Sequence, residues 1–316
     1  MSASRTNALT LAVVNHNGGS VLPDMLSSVR EEVISNGWKL ILFDNGSSDG
    51  SDRAAEQAYS SEGWLRVLRS PVNLGYAAAV NRALEGVDTS CAIVANSDTA
   101  FPCGALEGLV RFLESRPSAG AVGPRLLWPD GRLQSSLRSF PFSPRLVLEH
   151  LPLLRRLTPK HSSHDEPRTV DWFVGAVIAL RLEAFRSVGG FDEAFFFYHE
   201  ETDLFYRMWK AGWEVWFTPA VEVTHVGGAT AAAVYGRDGC YLRYIPAKLL
   251  FLRKHRGPLF RLCFRLAMTG LQVSRMLAGL LLPRMRRKDS RFSPGYCREA
   301  VSLLWSVAAP CEEKGD

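Results

Sequence analysis

Residues 39–51 read KLILFDNGSSDGS. Four apolar side chains in a row, Leu40 to Phe43, suit a strand buried on both faces, and Asp44-Asn45-Gly46 stops it in a polar turn. The arrangement recurs on either side. Residues 9–15 (LTLAVVN) run into His16-Asn17-Gly18-Gly19, residues 64–68 (WLRVL) lead to Asn73-Leu74-Gly75, and residues 91–96 (CAIVAN) lead to Ser97-Asp98. Helical signals fill the intervals. Ser20 can cap a helix with Val21, Leu22, Met25, Leu26 and Val29 on one face; further helices are expected over 52–59, 75–84 and 105–115. Alternating buried strands and helices predict an α/β fold, its central sheet mainly parallel and covered on both faces.

In such a sheet, ligands bind at the carboxyl ends of the strands. Asn15, Asp44, Asn73 and the Asn96-Ser97-Asp98 run all fall at that edge. Turn chemistry explains each one alone. Four together predict a binding pocket whose amides and carboxylates can hold a base and a ribose. No G-x-G-x-x-G follows the first strand and no G-x-x-x-x-G-K-[ST] occurs, which argues against a dinucleotide oxidoreductase and a P-loop NTPase. Asp98 suits a hard divalent cation that bridges to substrate phosphates. His225, ending an apolar stretch before Gly227-Gly228, is a second ligand candidate, although a lone histidine is more often structural.

From 121 to 169 the pattern degrades, with Pro129-Asp130-Gly131 as a strong turn signal. A strand over 170–180, a short helix over 183–188, an amphipathic helix over 201–211 and two strands, 213–217 and 220–225, are then expected. The amphipathic helix opens on Glu200-Glu201-Thr202-Asp203. Acids are favourable in a first helical turn whatever their role. Here Phe195-Phe196-Phe197-Tyr198 precedes them, and apolar surroundings would raise a carboxyl toward the range of a general base.

The chain has 316 residues, enough for one large α/β domain or two modest ones, and its net charge of +5 conceals an asymmetry. Residues 237–298 carry 15 Lys and Arg against two acids, a net of +13, which leaves −8 on the rest. Basic arms suit polyanions, either nucleic acid or an anionic membrane. Residues 259–282 are largely apolar but include Arg261, Arg265, Gln272 and Arg275 on one helical stripe. Three arginines disfavour a spanning helix and favour an amphipathic helix lying on a membrane surface; packing on protein is the competing reading. Aromatics are not interleaved as stacking platforms, so no nucleic acid is expected. Residues 1–10 lack a basic stretch followed by an apolar core, and no leader is expected there. Six scattered cysteines without a C-x-x-C pair read as reduced thiols.

Taken together, VVNHNGG, DNGSSDGS, NLGYAAAVNRAL, NSDT, the long FVGAVIALRLEAFRSVGGFDEAFFFYHEETDLFYRMWKAGW and VTHVGG resemble family-2 glycosyltransferases of the GT-A fold, over roughly residues 9–230. The rhamnosyltransferase-like branch is the most similar. The resemblance implies that Asp44 bonds the nucleotide base, and that Asn73, Gly75 and Asn81 shape its pocket. Asn96-Ser97-Asp98 stands at the D-x-D position, with Asp98 as metal carboxylate. Asn96 replaces the first acid there, which makes His225 more important. Gly175 and Ala176 would lie beside donor sugar or acceptor. Glu201 holds the general-base position, with Glu200 and Asp203 as alternatives. The implied reaction is inverting and uses Mg²⁺ or Mn²⁺. Its donor would be a nucleotide-diphosphate sugar, best dTDP-rhamnose, and its acceptor a saccharide or polyprenyl-linked saccharide in cell-surface polysaccharide assembly.

The expected organisation is a catalytic domain over 1–235 and a basic helical region over 236–316 that docks on the inner face of the cytoplasmic membrane. Competing readings are a UDP- or GDP-hexose donor on the same fold, a sugar-nucleotide pyrophosphorylase, and a non-catalytic saccharide- or membrane-binding relative. The pyrophosphorylase would show Arg and Lys in a glycine-rich loop after the first strand, and His16-Asn17-Gly18-Gly19 has neither. The non-catalytic relative would have lost Asp98, Glu201 or His225, and all three are present. Donor choice is expected to involve Trp172 and residues 121–169.

Overall fold

The computed structural model describes residues 9–59, 61–142, 164–227 and 229–306. The expectation of no leader, and much of the donor-choice region, fall on residues outside these. Two compact units make up the chain: Met1–Glu193 with Glu200–Ala229, and Ala194–His199 with Thr230–Asp316.

In the first unit the order begins β1 (Leu9–Asn15), α1 (Val21–Ser35), β2 (Lys39–Asn45), α2 (Ser51–Tyr59), β3 (Leu65–Ser70), α3 (Tyr76–Ala83), β4 (Cys91–Asn96) and β5 (Thr99–Ala100). It continues through α4 (Ala105–Glu114), β6 (Ala119–Leu127), β7 (Leu133–Gln134), β8 (Leu137–Arg138), β9 (Arg168–Thr169) and β10 (Trp172–Phe173). The last elements are β11 (Val177–Arg181), α5 (Leu182–Ser187), α6 (Glu200–Lys210) and β12 (Glu214–His225). The main path of the sheet is β3-β2-β1-β4-β11-β6-β12-β5. Its first four strands are parallel, as the alternation predicts. β11 enters antiparallel to both β4 and β6, β12 runs parallel to β6, and β5 is antiparallel to β12.

Burial explains why these segments hold. β1 is buried along its whole length, and α1 covers the sheet with Leu22, Met25, Leu26, Val29 and Val33, all fully buried. Each contributes roughly 1.5–3 kcal/mol of transfer free energy. Ser20 occupies the N-cap position of α1 but makes no side-chain cap bond. The Gly18 carbonyl instead accepts from the amides of Val21 (2.9 Å) and Leu22 (3.3 Å). A Cβ at position 18 would collide with Asn15 Oδ1 and displace that buried side chain.

Two strand readings are corrected. The strand expected over 170–180 is broken: β10 pairs with β8 in a separate two-stranded sheet, and only β11 joins the main one. Val174, Gly175 and Ala176 form the break, and they adjoin the acidic helix described below. Conversely, the two strands expected over 213–217 and 220–225 are one strand, β12. Pro219 has no N–H for a ladder, and the pairing with β6 slips in register between Thr218 and Glu222.

The second unit is helical: α7 (Ala229–His255), α8 (Pro258–Leu281), α9 (Pro283–Lys288), a 3₁₀ turn (Ser290–Phe292) and α10 (Pro294–Trp305). α10 runs back along α8. At one end Gly279 meets the carbonyl of Phe292 with no room for a Cβ, and at the other Trp305 Nε1 donates to Thr269 Oγ1 at 2.9 Å. α8 has Gln272 of its polar stripe only 2% exposed, and Arg261, Arg265 and Arg275 half-buried. Its leucines face outward: Leu259, Leu266, Leu277 and Leu281 are 73%, 55%, 50% and 79% exposed. Among the described residues, no helix is long and apolar enough to cross a membrane.

Candidate active site

The ends of β1 and β2 are cross-linked by side chains. Asn15 Nδ2 donates to Asp44 Oδ1 (2.9 Å), Ser47 Oγ (3.2 Å) and Ser51 Oγ (3.0 Å). Asp44 also accepts from the Ser47 amide at 3.0 Å and from its hydroxyl. Both Asn15 and Asp44 are buried. One step along the edge, Asn45 Nδ2 donates to Asn73 Oδ1 (2.9 Å), which in turn accepts from the Gly75 amide (2.9 Å). Asn81 lies apart from this group. Its amide exchanges bonds with the backbone of Phe191 (2.9 and 3.0 Å) and donates to Glu193 (2.9 Å), fastening α3 to the turn before the acidic helix.

On the other side of β1 the pattern changes. β5 pairs with the end of β12, setting His225 opposite Thr99, and the Val226 amide bonds the carbonyl of Asp98 at 3.0 Å. His225 Nε2 and Asp98 Oδ1 come within 3.4 Å, both residues buried. Nδ1 of His225 sits 2.7 Å from Gln134 Oε1. An amide oxygen only accepts, so Nδ1 carries a proton, which leaves Nε2 as the ring nitrogen available to an ion when the imidazole is neutral. Nε2 has no hydrogen-bond partner. A buried imidazole lone pair facing a carboxylate is the donor arrangement that a divalent cation satisfies, with Gln134 fixing the tautomer. Among the described residues no cluster of three or more His, Cys, Asp or Glu could hold a metal, so substrate oxygens and water would complete the shell. Gly227 closes this corner at φ +84, with Trp128 and Gln134 where a Cβ would go.

Asn96 is tied to the broken strand, its amide donating to the Ala176 carbonyl at 3.0 Å. Next to Ala176, a Cβ on Gly175 would stand 3.4 Å from the Cβ of Glu201. The chain enters α6 through two left-handed residues, Tyr198 (φ 70) and His199 (φ 64), a strained approach of the kind found at functional sites. Glu200 and Glu201 are both buried in the first turn of α6. Burial pushes the Glu201 carboxyl up to about 7, against the lowering pull of helix-terminal amides and of a bond from Glu200. Burial and the Glu201 charge raise Glu200 well above the carboxylate range, and it holds the proton of the pair. Glu200 Oε2 has no partner. Asp203 is fully buried and spoken for: Arg207 Nε bonds it at 2.6 Å.

Tyr76, at the start of α3, joins the two groups of acids. Its hydroxyl donates to the Gly175 carbonyl at 3.3 Å. Removal from solvent and the charges of Glu200, Glu201 and Asp98 raise its phenol pKa strongly. The structure thus brings together Asp98, His225, Gly175, Ala176, Glu200 and Glu201, and holds Asn15, Asp44, Asn73 and Gly75 at the neighbouring strand ends. Tyr76 and Gln134 are additions that the sequence reading missed. The tyrosine stands inside NLGYAAAVNRAL, a signal that could have found it; Gln134 sits on a two-residue strand in a stretch without periodicity.

The profile of glycosyl transferase family 2 matches residues 10–186, more than half of the chain. The chain belongs to glycosyl transferase family 2. A second profile, described as the N-terminal domain of galactosyltransferase, matches residues 155–227, which include the acidic helix and His225. The chain is 33% identical over 247 residues to the N-acetylglucosaminyl-diphospho-decaprenol L-rhamnosyltransferase of Mycobacterium tuberculosis H37Rv, covering 70% of this chain and 76% of the relative. It is 34% identical over 91 residues to the rhamnosyltransferase WbbL of Escherichia coli K12, covering 28% of this chain and 34% of the relative. Among solved structures, a Pyrobaculum calidifontis mannosyltransferase in complex with GDP-Man and Mn²⁺ superposes with a TM-score of 0.55 at 16% identity, over 96% of this chain and 88% of that one. GalNAc-T7 with UDP, GalNAc and Mn²⁺ gives the same TM-score and identity over 77% of this chain, which spans 48% of the GalNAc-T7 chain. The fold is the GT-A fold, and this family-2 member is a rhamnosyltransferase-like glycosyltransferase.

Proposed function

We propose that this glycosyltransferase moves rhamnose from dTDP-rhamnose to a hydroxyl of a polyprenyl-diphosphate-linked saccharide in cell-surface polysaccharide assembly, inverting the anomeric carbon. The observation that carries the chemistry is the juxtaposition of the Asp98–His225 pair with Glu201 around Tyr76 and Gly175. The mycobacterial relative's name supports the choice of sugar and acceptor.

Glu201 is the base. Raised toward neutrality, it is partly ionised at physiological pH and still basic enough to take a hydroxyl proton. As that proton moves to Glu201, the acceptor oxygen bonds the anomeric carbon and the bond to the nucleotide diphosphate breaks on the opposite face. Glu200, protonated, steadies the Glu201 carboxylate by donating to it. Gly175 leaves the space a side chain would fill beside Glu201. Asp98 and His225 would hold Mg²⁺ or Mn²⁺, which supplies charge neutralisation at the departing diphosphate. Asp44 and Asn73 shape the base end of the donor site, and Asn81 supports it through the turn it fastens.

We assign the second unit to the inner face of the cytoplasmic membrane. The outward leucines of α8 and the charge of the region support that placement. The test is turnover by the full chain on a polyprenyl-diphosphate-linked acceptor with dTDP-rhamnose, UDP-hexoses and GDP-mannose in parallel. Product from dTDP-rhamnose alone is expected. Product from a UDP- or GDP-sugar instead would replace the donor, and product from none would remove the transferase reading of this site.

A further inference from the structure

The second unit holds a cavity of about 300 Å³ between the end of α7, the first turns of α8 and the residue after α10. Three arginines line it, Arg253, Arg261 and Arg265, with Leu249, Pro258 and Leu262 as apolar wall. Among the described residues none of the three arginines forms an ion pair. Arg265 is held with its guanidinium 5.8 Å over the Trp305 ring, and its buried Nε has no hydrogen-bond partner. The cavity also takes in the N-terminus of α8, whose first turn carries no acid to balance the dipole. These features share one sign and one unmet need, an anion rich in acceptor oxygens.

Charge and rim narrow the ligand. Three guanidiniums match a diphosphate better than the single charge of a phosphodiester. The apolar rim runs into Leu259, Leu262 and Leu266, which are 73%, 46% and 55% exposed, so the ligand carries hydrocarbon. We propose that this pocket binds the diphosphate of a prenyl-chain lipid, with the chain lying along the outward leucines of α8. The inference rests on the lipid-linked acceptor proposed above and gives that acceptor a handle on the same chain, raising its effective concentration without any contact to the sugar.

The test uses the full chain, EDTA to silence metal-dependent donor binding, and farnesyl diphosphate as probe, titrated by calorimetry without donor. Arg261→Gln with Arg265→Gln is compared with Arg284→Gln with Arg287→Gln, a pair of exposed arginines on α9 whose loss removes the same charge. The pocket pair is expected to weaken binding by about tenfold or more and the control pair by about twofold or less. Inorganic pyrophosphate should compete with the probe, and vesicles containing phosphatidylglycerol should bind both pairs alike. Should the pocket pair fail to fold, Arg253→Gln, at an exposed position, reads the same site. Equal weakening by both pairs would show diffuse charge attraction and overturn the proposal, as would absence of farnesyl diphosphate binding to the native chain. A phosphatidylglycerol loss confined to the pocket pair would make the occupant a phospholipid and overturn it too. The titration reads no turnover: a pocket that binds the probe in a chain that transfers nothing to lipid would contradict only the acceptor reading.

Discussion

The two sides of β1 end in polar residues of similar kinds but in opposite states. On the β2–β3 side, Asn15, Asp44, Ser47, Ser51, Asn45 and Asn73 bond to one another. On the side reached through β4, β5 and β12, His225 Nε2 and Glu200 Oε2 are buried without partners, and two glutamates share one turn. Buried polar atoms normally find partners. The first group is densely bonded within the fold, although Asn15 Oδ1 is buried without a partner. The second leaves open the atoms that the proposed ion and acceptor would meet. Type and location at a strand end do not separate the two groups; the density of bonding within the fold does.

Substitutions at open and at paired positions should therefore fail differently. Glu201→Gln should show the largest effect, lowering kcat by about 10²–10⁴ while donor affinity stays within about twofold. Single-turnover kinetics with donor titration checks this, and normal turnover would move the base to another acid. Asp203→Asn tests a closed pair near the same turn. It breaks a buried ion pair to Arg207 and should cost about 3–5 kcal/mol of stability by denaturant unfolding. The fraction that remains folded should keep its kcat. Gln134→Leu removes only the bond that fixes the His225 tautomer. A metal titration of activity should show about 10–100-fold weaker metal dependence, with about 1–3 kcal/mol of stability lost because the buried Nδ1–H is left without an acceptor.

The smallest effect concerns pH. Glu201 acts deprotonated, and its carboxyl is raised to about 7, so kcat/KM should fall as pH drops through that value. Glu200 donates to the Glu201 carboxylate and so favours its charged form. Removing that donor in Glu200→Ala should move the acidic limb to higher pH, while Glu200→Gln, which keeps an N–H, should move it less. A limb that shifts downward in Glu200→Ala would mean that repulsion between the pair outweighs the bond.

The sequence showed the sheet edge well because apolar runs ending in Asn, Asp and Gly are local signals. Asp98 was legible as a candidate for the same reason, and Glu201 because an acidic first helical turn follows a run of aromatics. What brings them together was not. His225 reaches Asp98 through a two-residue pairing between β5 and β12, and so short a strand leaves no periodicity to read. The break at Gly175 looked like continuous strand because Val174 and Ala176 are apolar, and no local pattern carries its closeness to Glu201. The stripe on α8 was visible as a period but not as a direction. Arg261, Arg265, Gln272 and Arg275 could be read as the polar face of a membrane-surface helix or as a face packed on protein; α10 packs along α8, Gln272 is buried and the leucines are left outside.

On the proposed reading, a cation and the donor diphosphate together complete the open pair of His225 Nε2 with Asp98. Calorimetric titration of the full chain with dTDP-rhamnose, in Mn²⁺ and then in EDTA, tests it most directly when repeated on His225→Ala. Binding in Mn²⁺ that is lost in EDTA and weakened about tenfold or more in His225→Ala is the predicted result. Equal binding in all three conditions would contradict it, and would return His225 to a structural role.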